Sequence, residues 1–314
     1  MSAPDKLGWQ GARRLMAQLG PQYTQDIAGN SQRVKELYAP LLRSPQEGIA
    51  ITRDLAYGPH PRQVLDIFRP ADASSADVLV FVHGGAFVRG AKWVPEGLYD
   101  NVLLWFARRG FVGVNIEYRL APDAPYPQGA LDVARAMDWV HAHVASHGGD
   151  PARVLLMGHS AGGTHVATYA CDPVLQEPCR ARALVLVSAR LRADRSPCNP
   201  NAAGVAAYFG DDAALDEARS PVTHAARCPV PVCVVVAEYE NPLLDLYGVE
   251  FAARLAAQAG RLPRLLQCRH HNHMSVVAHF DCGEDALGLE LLDFWSSVRA
   301  PGPGLTPSPA CCPG

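Results

Sequence analysis

The 314-residue length suffices for one large domain with a substantial core, and 48% hydrophobic with 19% charged residues is the composition of a folded soluble protein. The net charge of −3, with scattered Lys and Arg, provides no basic stripe for nucleic acid. No stretch approaches the roughly 18 apolar residues of a membrane span, and charges interrupt the N-terminus before any signal-peptide pattern develops. We therefore expect a cytoplasmic protein with neither a nucleic-acid nor a membrane partner.

The cysteine usage agrees with this expectation. The chain has nine cysteines, an odd number spread over its length without C-x-x-C pairs or metal-ligand spacing. This distribution favours reduced thiols over a disulfide framework or a zinc site. We expect no metal and no cofactor.

The predicted elements begin with a helical cap region at 1–47 and an antiparallel edge strand at 48–57. From residue 64, short β-branched runs alternate with amphipathic stretches of helix length, which is typical of a mostly parallel sheet flanked by helices. Strands are predicted at 64–68, 78–82, 111–116, 153–157, 183–187, 230–237 and 264–268, and helices at 97–108, 130–147, 164–171, 246–259 and 287–298.

The fold class is therefore α/β, with an eight-stranded, mostly parallel sheet. We predict a catalytic domain over 48–300, interrupted by a polar cap insertion near 190–226. The Pro- and Gly-rich tail at 301–314 is predicted to be disordered. Either the cap region or the insertion could cover an active site.

The strongest chemical signal is Gly158-His159-Ser160-Ala161-Gly162-Gly163, between a predicted strand and a predicted helix. In this context G-x-S-x-G indicates a nucleophile elbow, a sharp turn that exposes the serine, whereas an isolated match is often an ordinary turn. Ser160 is the predicted nucleophile.

A second signal is His83-Gly84-Gly85-Ala86-Phe87, directly after the predicted strand 78–82. Glycines allow backbone N–H groups to approach a developing oxyanion. Such a turn alone is more often only a loop, but together with the elbow it predicts an oxyanion hole formed by the amides of Gly84, Gly85 and Ala161.

These motifs together resemble the hormone-sensitive-lipase-like carboxylesterase family of the α/β-hydrolases. The resemblance extends over about residues 60–295 and includes Tyr118-Arg119-Leu120-Ala121-Pro122, Tyr126-Pro127, Gly149-Asp150-Pro151 and Ser220-Pro221 in the family's order. It implies an α/β-hydrolase fold and the chain order serine, acid, histidine. For 118–127 we predict a structural role.

The base must therefore lie late in the chain, where His270, His271, His273 and His279 are candidates. The family places its histidine on the loop after the last strand, often before a bulky apolar residue. His273, followed by Met274, fits best, and His271 is the competitor. A metal site formed by these histidines is disfavoured because no carboxylate or cysteine completes it at the usual spacing.

The acid is expected on the loop after the predicted strand 230–237. The family usually has aspartate directly before Pro-Leu, where this chain has Asn241. After the strand the family often has Glu, an aromatic residue and then the acid, and the resemblance therefore implies Glu240, since glutamate is an accepted acid in this fold. Asp245 and Glu238 remain alternatives.

The predicted function is that of a serine esterase that cleaves small carboxylic esters through an acyl-enzyme intermediate. Residues 240–242 and the His273 segment also resemble kynurenine formamidase-like members, so an amidase or aryl-formamidase remains an alternative. A catalytically inactive small-molecule receptor of the same fold is the alternative of another class. Apolar residues in the predicted pocket, together with the family resemblance, imply a small hydrophobic or aromatic ester as substrate. A homodimer is possible. Candidates for shaping the substrate pocket are Phe87, Trp93, Tyr208, Phe209 and Met274.

Overall fold

The computed structural model describes residues 8–43, 48–176 and 178–299. Its strands are β1 (Ile49–Ala56), β2 (Val64–Pro70), β3 (Ala76–Val82), β4 (Val112–Ile116), β5 (Gly149–His159), β6 (Ala183–Val187), β7 (Val232–Tyr239) and β8 (Arg264–Asn272). They form one eight-stranded sheet in the order β1-β2-β4-β3-β5-β6-β7-β8. The pairs β1·β2 and β2·β4 are antiparallel, and the other neighbours are parallel. The predicted fold class is confirmed.

The helices lie between these strands and ahead of them. They are α1 (Trp9–Leu19), α2 (Ile27–Tyr38), α3 (Asp100–Ala107), α4 (Gln128–His143), α5 (Ala161–Cys171), α6 (Ala202–Phe209), α7 (Asp216–Arg219), α8 (Leu244–Ala259), α9 (Ser275–Ala278) and α10 (Ala286–Val298). Short 3₁₀ turns occupy Gly20–Gln25, Ala39–Leu41, Val144–His147, Ala213–Leu215 and Pro221–Arg227. Within the described ranges, the helices are too short or too polar to cross a membrane.

The sheet separates two hydrophobic cores. Successive side chains of a strand point to opposite faces, so alternate residues of β3 enter different cores. Val78, Val80 and Val82 pack with residues of α4, α5 and α8, whereas Leu79 and Phe81 pack with residues of α3 and α10. Because helices cover both faces, the central strands contain continuous apolar runs, such as Val78–Val82 of β3, rather than alternating polar and apolar residues.

Two predictions differ from the structure in detail, and a third cannot be compared with it. The helix predicted at 164–171 begins at Ala161, because glycines at 162 and 163 weaken the helical pattern at its start. The insertion near 190–226 is less polar than its sequence suggests, since α6 buries Tyr208 and Phe209. The predicted tail at 301–314 lies outside the described residues.

Candidate active site

Ser160 lies at the sharp turn between β5 and α5, with φ 55° and ψ −119°. This strained conformation is possible because the neighbouring positions lack side chains. A Cβ at Gly158 would lie 2.6 Å from the Gly162 carbonyl, and one at Gly162 would lie 2.2 Å from the Val82 carbonyl oxygen. The Ser160 N–H donates to the Val187 carbonyl at 3.0 Å, which anchors the turn to β6. The glycines of the motif are therefore required by the close approach of three backbone segments.

The imidazole of His273 bridges Ser160 and Glu240. Its Nε2 lies 3.0 Å from Ser160 Oγ, and its Nδ1 lies 2.9 Å from Glu240 Oε2. Because a carboxylate only accepts, Nδ1 carries the proton, and Nε2 is left to accept the serine hydroxyl. His273 and Glu240 are both buried, so water competes little for these bonds. The structure thus brings together the three residues predicted as nucleophile, base and acid.

The other candidate acids are placed differently. Glu238 accepts the backbone N–H of His270 at 2.6 Å. Asp245 lies in the first turn of α8. Among the contacts of the described residues, neither carboxylate reaches His273, so Glu240 alone of the three is hydrogen-bonded to it.

The competing histidines are also engaged elsewhere. His271 contacts Ser275 Oγ through Nδ1 at 3.1 Å and Glu284 through Nε2 at 3.3 Å. His279 donates from Nδ1 to the Ser275 carbonyl at 2.9 Å. Over the described ranges, no group of three or more His, Cys, Asp or Glu is arranged to hold a metal ion. His271 and His279 are therefore hydrogen-bonded to groups other than Ser160.

The oxyanion turn contains one departure from the prediction. The Gly84 N–H donates to the Tyr99 hydroxyl at 3.2 Å, which competes with the role predicted for this amide. Gly85 and Ala86 follow with φ +149° and 50°. The N–H groups of Gly85, Ala86 and Ala161 have no partner among the described residues.

An open cleft of about 580 Å³ lies over Ser160 and His273. Both regions predicted to cover the site contribute to it, since α2 supplies Ser31 and Lys35 and the insertion supplies Asn201. Met274 lines the cleft as predicted for a pocket residue. The remaining lining residues include Ile27, Ala28, Arg89, Val94, Leu98, Pro200 and Asn241.

The aromatic residues predicted to shape this pocket form a core instead. Phe87 stacks on Tyr208 with ring centroids 4.6 Å apart and contacts Phe209 edge to face. All three are buried. Trp93 is 47% exposed, so none of the predicted aromatic residues lines the cleft.

Three further residues support the site and were not assigned a role from the sequence. Ser188, at the end of β6, donates its hydroxyl to Glu240. His159 lies inside the elbow motif and Tyr99 just before α3. The Tyr99 hydroxyl contacts His159 Nδ1, and His159 Nε2 contacts the His273 carbonyl oxygen. Burial lowers the pKa of His159 well below its ordinary value, so its ring is neutral. His159 was visible in the motif, whereas nothing in the sequence relates Tyr99 to it.

Arg119 belongs to the motif predicted to be structural. Its Nε and Nη2 donate to the Asp132 carboxylate, the latter at 2.7 Å, and its backbone N–H donates to the same group at 2.9 Å. This bidentate pair ties the loop after β4 to α4. The contacts are those of a structural residue.

Part of the sequence is similar to that of known proteins. A protein-family model described as BD-FAE matches residues 65–173. Esterase LipC of Mycobacterium tuberculosis is 40% identical over 120 residues, which is 38% of this chain and 29% of that protein. Acylcarnitine hydrolase of Mus musculus is 37% identical over 124 residues, covering 36% of this chain and 21% of that protein. The chain thus matches less than a third of the length of these relatives.

Solved structures match the fold over most of the chain. A structure of esterase B from Lactobacillus rhamnosis has a TM-score of 0.71 at 19% identity, with coverage of 90% of this chain and 96% of that one. A structure titled bacterial heroin esterase has a TM-score of 0.69 at 24% identity, with coverage of 88% and 93%. At such identities the likeness concerns the fold.

Proposed function

We propose that this chain is a serine esterase of the hormone-sensitive-lipase-like carboxylesterase family of the α/β-hydrolases, and that it cleaves small carboxylic esters through an acyl-enzyme. The observation that carries the proposal is the hydrogen-bonded series from Glu240 through His273 to Ser160. This series is what a serine hydroxyl needs to lose its proton as it attacks a carbonyl.

In the proposed reaction, Ser160 Oγ attacks the ester carbonyl while His273 Nε2 accepts its proton. Glu240 stabilises the resulting imidazolium through Nδ1. His273 then returns the proton to the alkoxide leaving group, and the acyl group remains on Ser160. Water, deprotonated by the same imidazole, attacks the acyl-enzyme carbonyl, and His273 returns that proton to Ser160 Oγ as the acid is released.

The negative charge that develops on the carbonyl oxygen is assigned to the amides of Gly85, Ala86 and Ala161. Ala86 takes the place first given to Gly84, because the Gly84 N–H is donated to Tyr99. Ala161 is the first residue of α5, so its N–H also adds the positive end of the helix dipole. Fixed donors in a partly buried site stabilise such charge more than mobile water does.

The test is hydrolysis of p-nitrophenyl acetate and butyrate by the wild type and by Ser160→Ala. We expect the variant to lose at least about 10³-fold in kcat, because the nucleophile is gone. Ser146→Ala, which removes an exposed hydroxyl bonded to the His143 carbonyl, is the matched control and should behave as wild type. Equal turnover by wild type and Ser160→Ala would exclude the proposal.

The same assay distinguishes the alternatives. A fluorophosphonate should label wild-type protein at Ser160, and mass spectrometry of the labelled peptide identifies the site. Formanilide and p-nitroacetanilide test an amide leaving group, and faster cleavage of formanilide than of the esters would favour an aryl-formamidase. Absence of both turnover and label would favour an inactive receptor.

A further inference from the structure

Tyr99 has a backbone conformation that side-chain-bearing residues rarely adopt, with φ 74° and ψ −36° just before α3. Such strain costs about 1–3 kcal/mol and persists only where surrounding contacts hold it. Here the Tyr99 N–H donates to Asn101 Oδ1 at 3.0 Å, and Asn101 Nδ2 donates to the Val277 carbonyl at 2.8 Å. Tyr99 is therefore fixed against α9, the helix that follows His273.

The side chain of Tyr99 lies between the oxyanion turn and the buried ring of His159. Its hydroxyl is 3.2 Å from the Gly84 nitrogen and 3.3 Å from His159 Nδ1. On the far side of the ring, His159 Nε2 is 2.9 Å from the carbonyl oxygen of His273. Tyr99 and His159 are both buried, so water competes little for these hydrogen bonds.

The protons of this series have one consistent arrangement. A carbonyl oxygen only accepts, so His159 Nε2 carries a proton and donates to His273. The neutral ring then has an acceptor at Nδ1, which receives the Tyr99 hydroxyl proton. Burial raises the pKa of Tyr99 to about 12, so the hydroxyl keeps that proton. The Tyr99 oxygen in turn accepts the Gly84 N–H.

We propose that Tyr99 and His159 are positioning residues that set the distance between the peptide of His273 and the oxyanion turn. The inference rests on the proposed esterase function and extends it to two residues that act through the backbone of Gly84 and His273. One end of the series holds the backbone that carries the base, and the other holds the backbone that precedes the anion-binding amides. The relative position of these groups matters, because a displacement of about 1 Å can cost about 10²-fold in rate.

The first test is Tyr99→Phe, which removes the hydroxyl and keeps the ring. We expect kcat for p-nitrophenyl butyrate to fall about 10- to 100-fold with KM within about threefold, because alignment rather than substrate binding is impaired. The affinity for butaneboronic acid, which mimics the tetrahedral intermediate, should fall in parallel with kcat/KM. A purely structural role would lower the amount of active enzyme without changing this affinity, so active sites are counted with a fluorophosphonate.

Tyr169→Phe is the matched control. The Tyr169 hydroxyl is also buried and accepts a backbone N–H, that of Arg180 at 2.8 Å, but it does not line the cleft. Its kcat per labelled site should stay within about twofold of wild type. If Tyr99→Phe matched this control in both kcat and boronate affinity, the positioning role would be overturned, while the esterase function would stand on the activity that remains.

The second test uses His159 and does not depend on the folding of Tyr99→Phe. Gln places an amide N–H near the position of imidazole Nε2, so His159→Gln should retain the donor to the His273 carbonyl. His159→Leu cannot. We expect His159→Gln to keep at least about tenfold more kcat per labelled site than His159→Leu. Equal losses in the two variants would contradict the inference, and a wild type without turnover would instead remove the proposed function itself.

Discussion

Ser188 donates its hydroxyl to Glu240 Oε1, the carboxylate oxygen that does not contact His273. The same oxygen accepts the Ala237 N–H at 2.8 Å. Two donors therefore hold one side of the carboxylate while the other side faces the imidazole. Ser188 comes from the end of β6 and Glu240 from the end of β7, so the contact depends on the pairing of these strands.

Ser188→Ala should lower kcat/KM about 5- to 10-fold, because a hydrogen bond to a charged group contributes roughly 1–2 kcal/mol to its placement. The Ala237 N–H keeps the carboxylate partly oriented, so the loss is smaller than that from removing the acid. Initial rates with p-nitrophenyl butyrate, normalised to phosphonate-labelled sites, measure it. A change of less than twofold would show that Ser188 does not orient Glu240.

Glu240→Gln should reduce kcat about 10³-fold, since an amide cannot stabilise the imidazolium and favours the wrong tautomer of His273. Asp245→Asn is the matched control, because it makes the same change of a carboxylate to an amide five residues later on α8. That control should stay within about twofold of wild type. A larger loss in Asp245→Asn than in Glu240→Gln would show that Asp245, and not Glu240, is the acid.

Gly162→Ala should destabilise the protein by about 1–3 kcal/mol and abolish most activity, because its Cβ would lie 2.2 Å from the Val82 carbonyl oxygen and 2.4 Å from that of His83. Both obstacles are backbone, which cannot swing away as a side chain could. Urea denaturation measures the loss. At Gly8, an added Cβ meets nothing within 4 Å, so Gly8→Ala should cost under about 1 kcal/mol. Equal stability of the two variants would contradict the crowding at the elbow.

The cleft should favour esters that carry a negative charge away from the scissile bond. Lys35 and Arg89 line it, and none of its described lining residues is an aspartate or glutamate. Arg89 donates to Asn201 Oδ1 at 3.1 Å, and a hydrogen bond from Gln32, with Lys35 nearby, lowers the pKa of Glu96. Glu96 therefore offsets part of the Lys35 charge.

The measurement compares mono-p-nitrophenyl glutarate with neutral p-nitrophenyl pentanoate. Lys35→Gln combined with Arg89→Gln should lower kcat/KM for the anionic ester about 3- to 10-fold and leave the neutral ester nearly unchanged. High salt should reduce the wild-type preference in the same direction, because it screens exposed charges. A double variant with an unaltered ratio would contradict the charge preference.

Stability should fall in acid partly through His165. Neither ring nitrogen has a hydrogen-bond partner among the described residues, and burial lowers its pKa from 6.5 to about 3. Between these values the unfolded chain binds a proton that the folded protein does not, so the free energy of unfolding falls as the pH drops. One such group contributes about 1.4 kcal/mol per pH unit within this range.

His165→Phe removes this titration while keeping a ring to pack against Phe87 and Tyr208. Urea denaturation at several pH values between 7 and 4 should give a shallower pH dependence for the variant, by about 1.4 kcal/mol per unit. Above about pH 7 the histidine is mostly neutral in both states and contributes little slope. Identical slopes for the two proteins would show that His165 is not the titrating group.

Local sequence patterns were sufficient to predict the parallel strands and the nucleophile Ser160. The apolar runs predicted the parallel strands, because strands covered on both faces consist mostly of apolar residues, although β8 at the edge also contains Arg264, Gln267 and Arg269. The elbow glycines identified Ser160, since the turn that exposes a serine requires small neighbours at fixed spacing. Glu240 and His273 were selected because the resemblance to the hormone-sensitive-lipase-like family implies an acid and then a histidine on the loops that follow the last two strands.

Tertiary packing decided what no local pattern contains. Tyr99 reaches His159 across the interior, and its hydroxyl takes up the Gly84 amide that the sequence had suggested for the oxyanion. Phe87 resembled a pocket residue in the sequence but is buried against Tyr208. Hydrogen-bond partners and side-chain directions depend on how segments distant in sequence pack together, and the spacing of residues within one segment does not determine that packing.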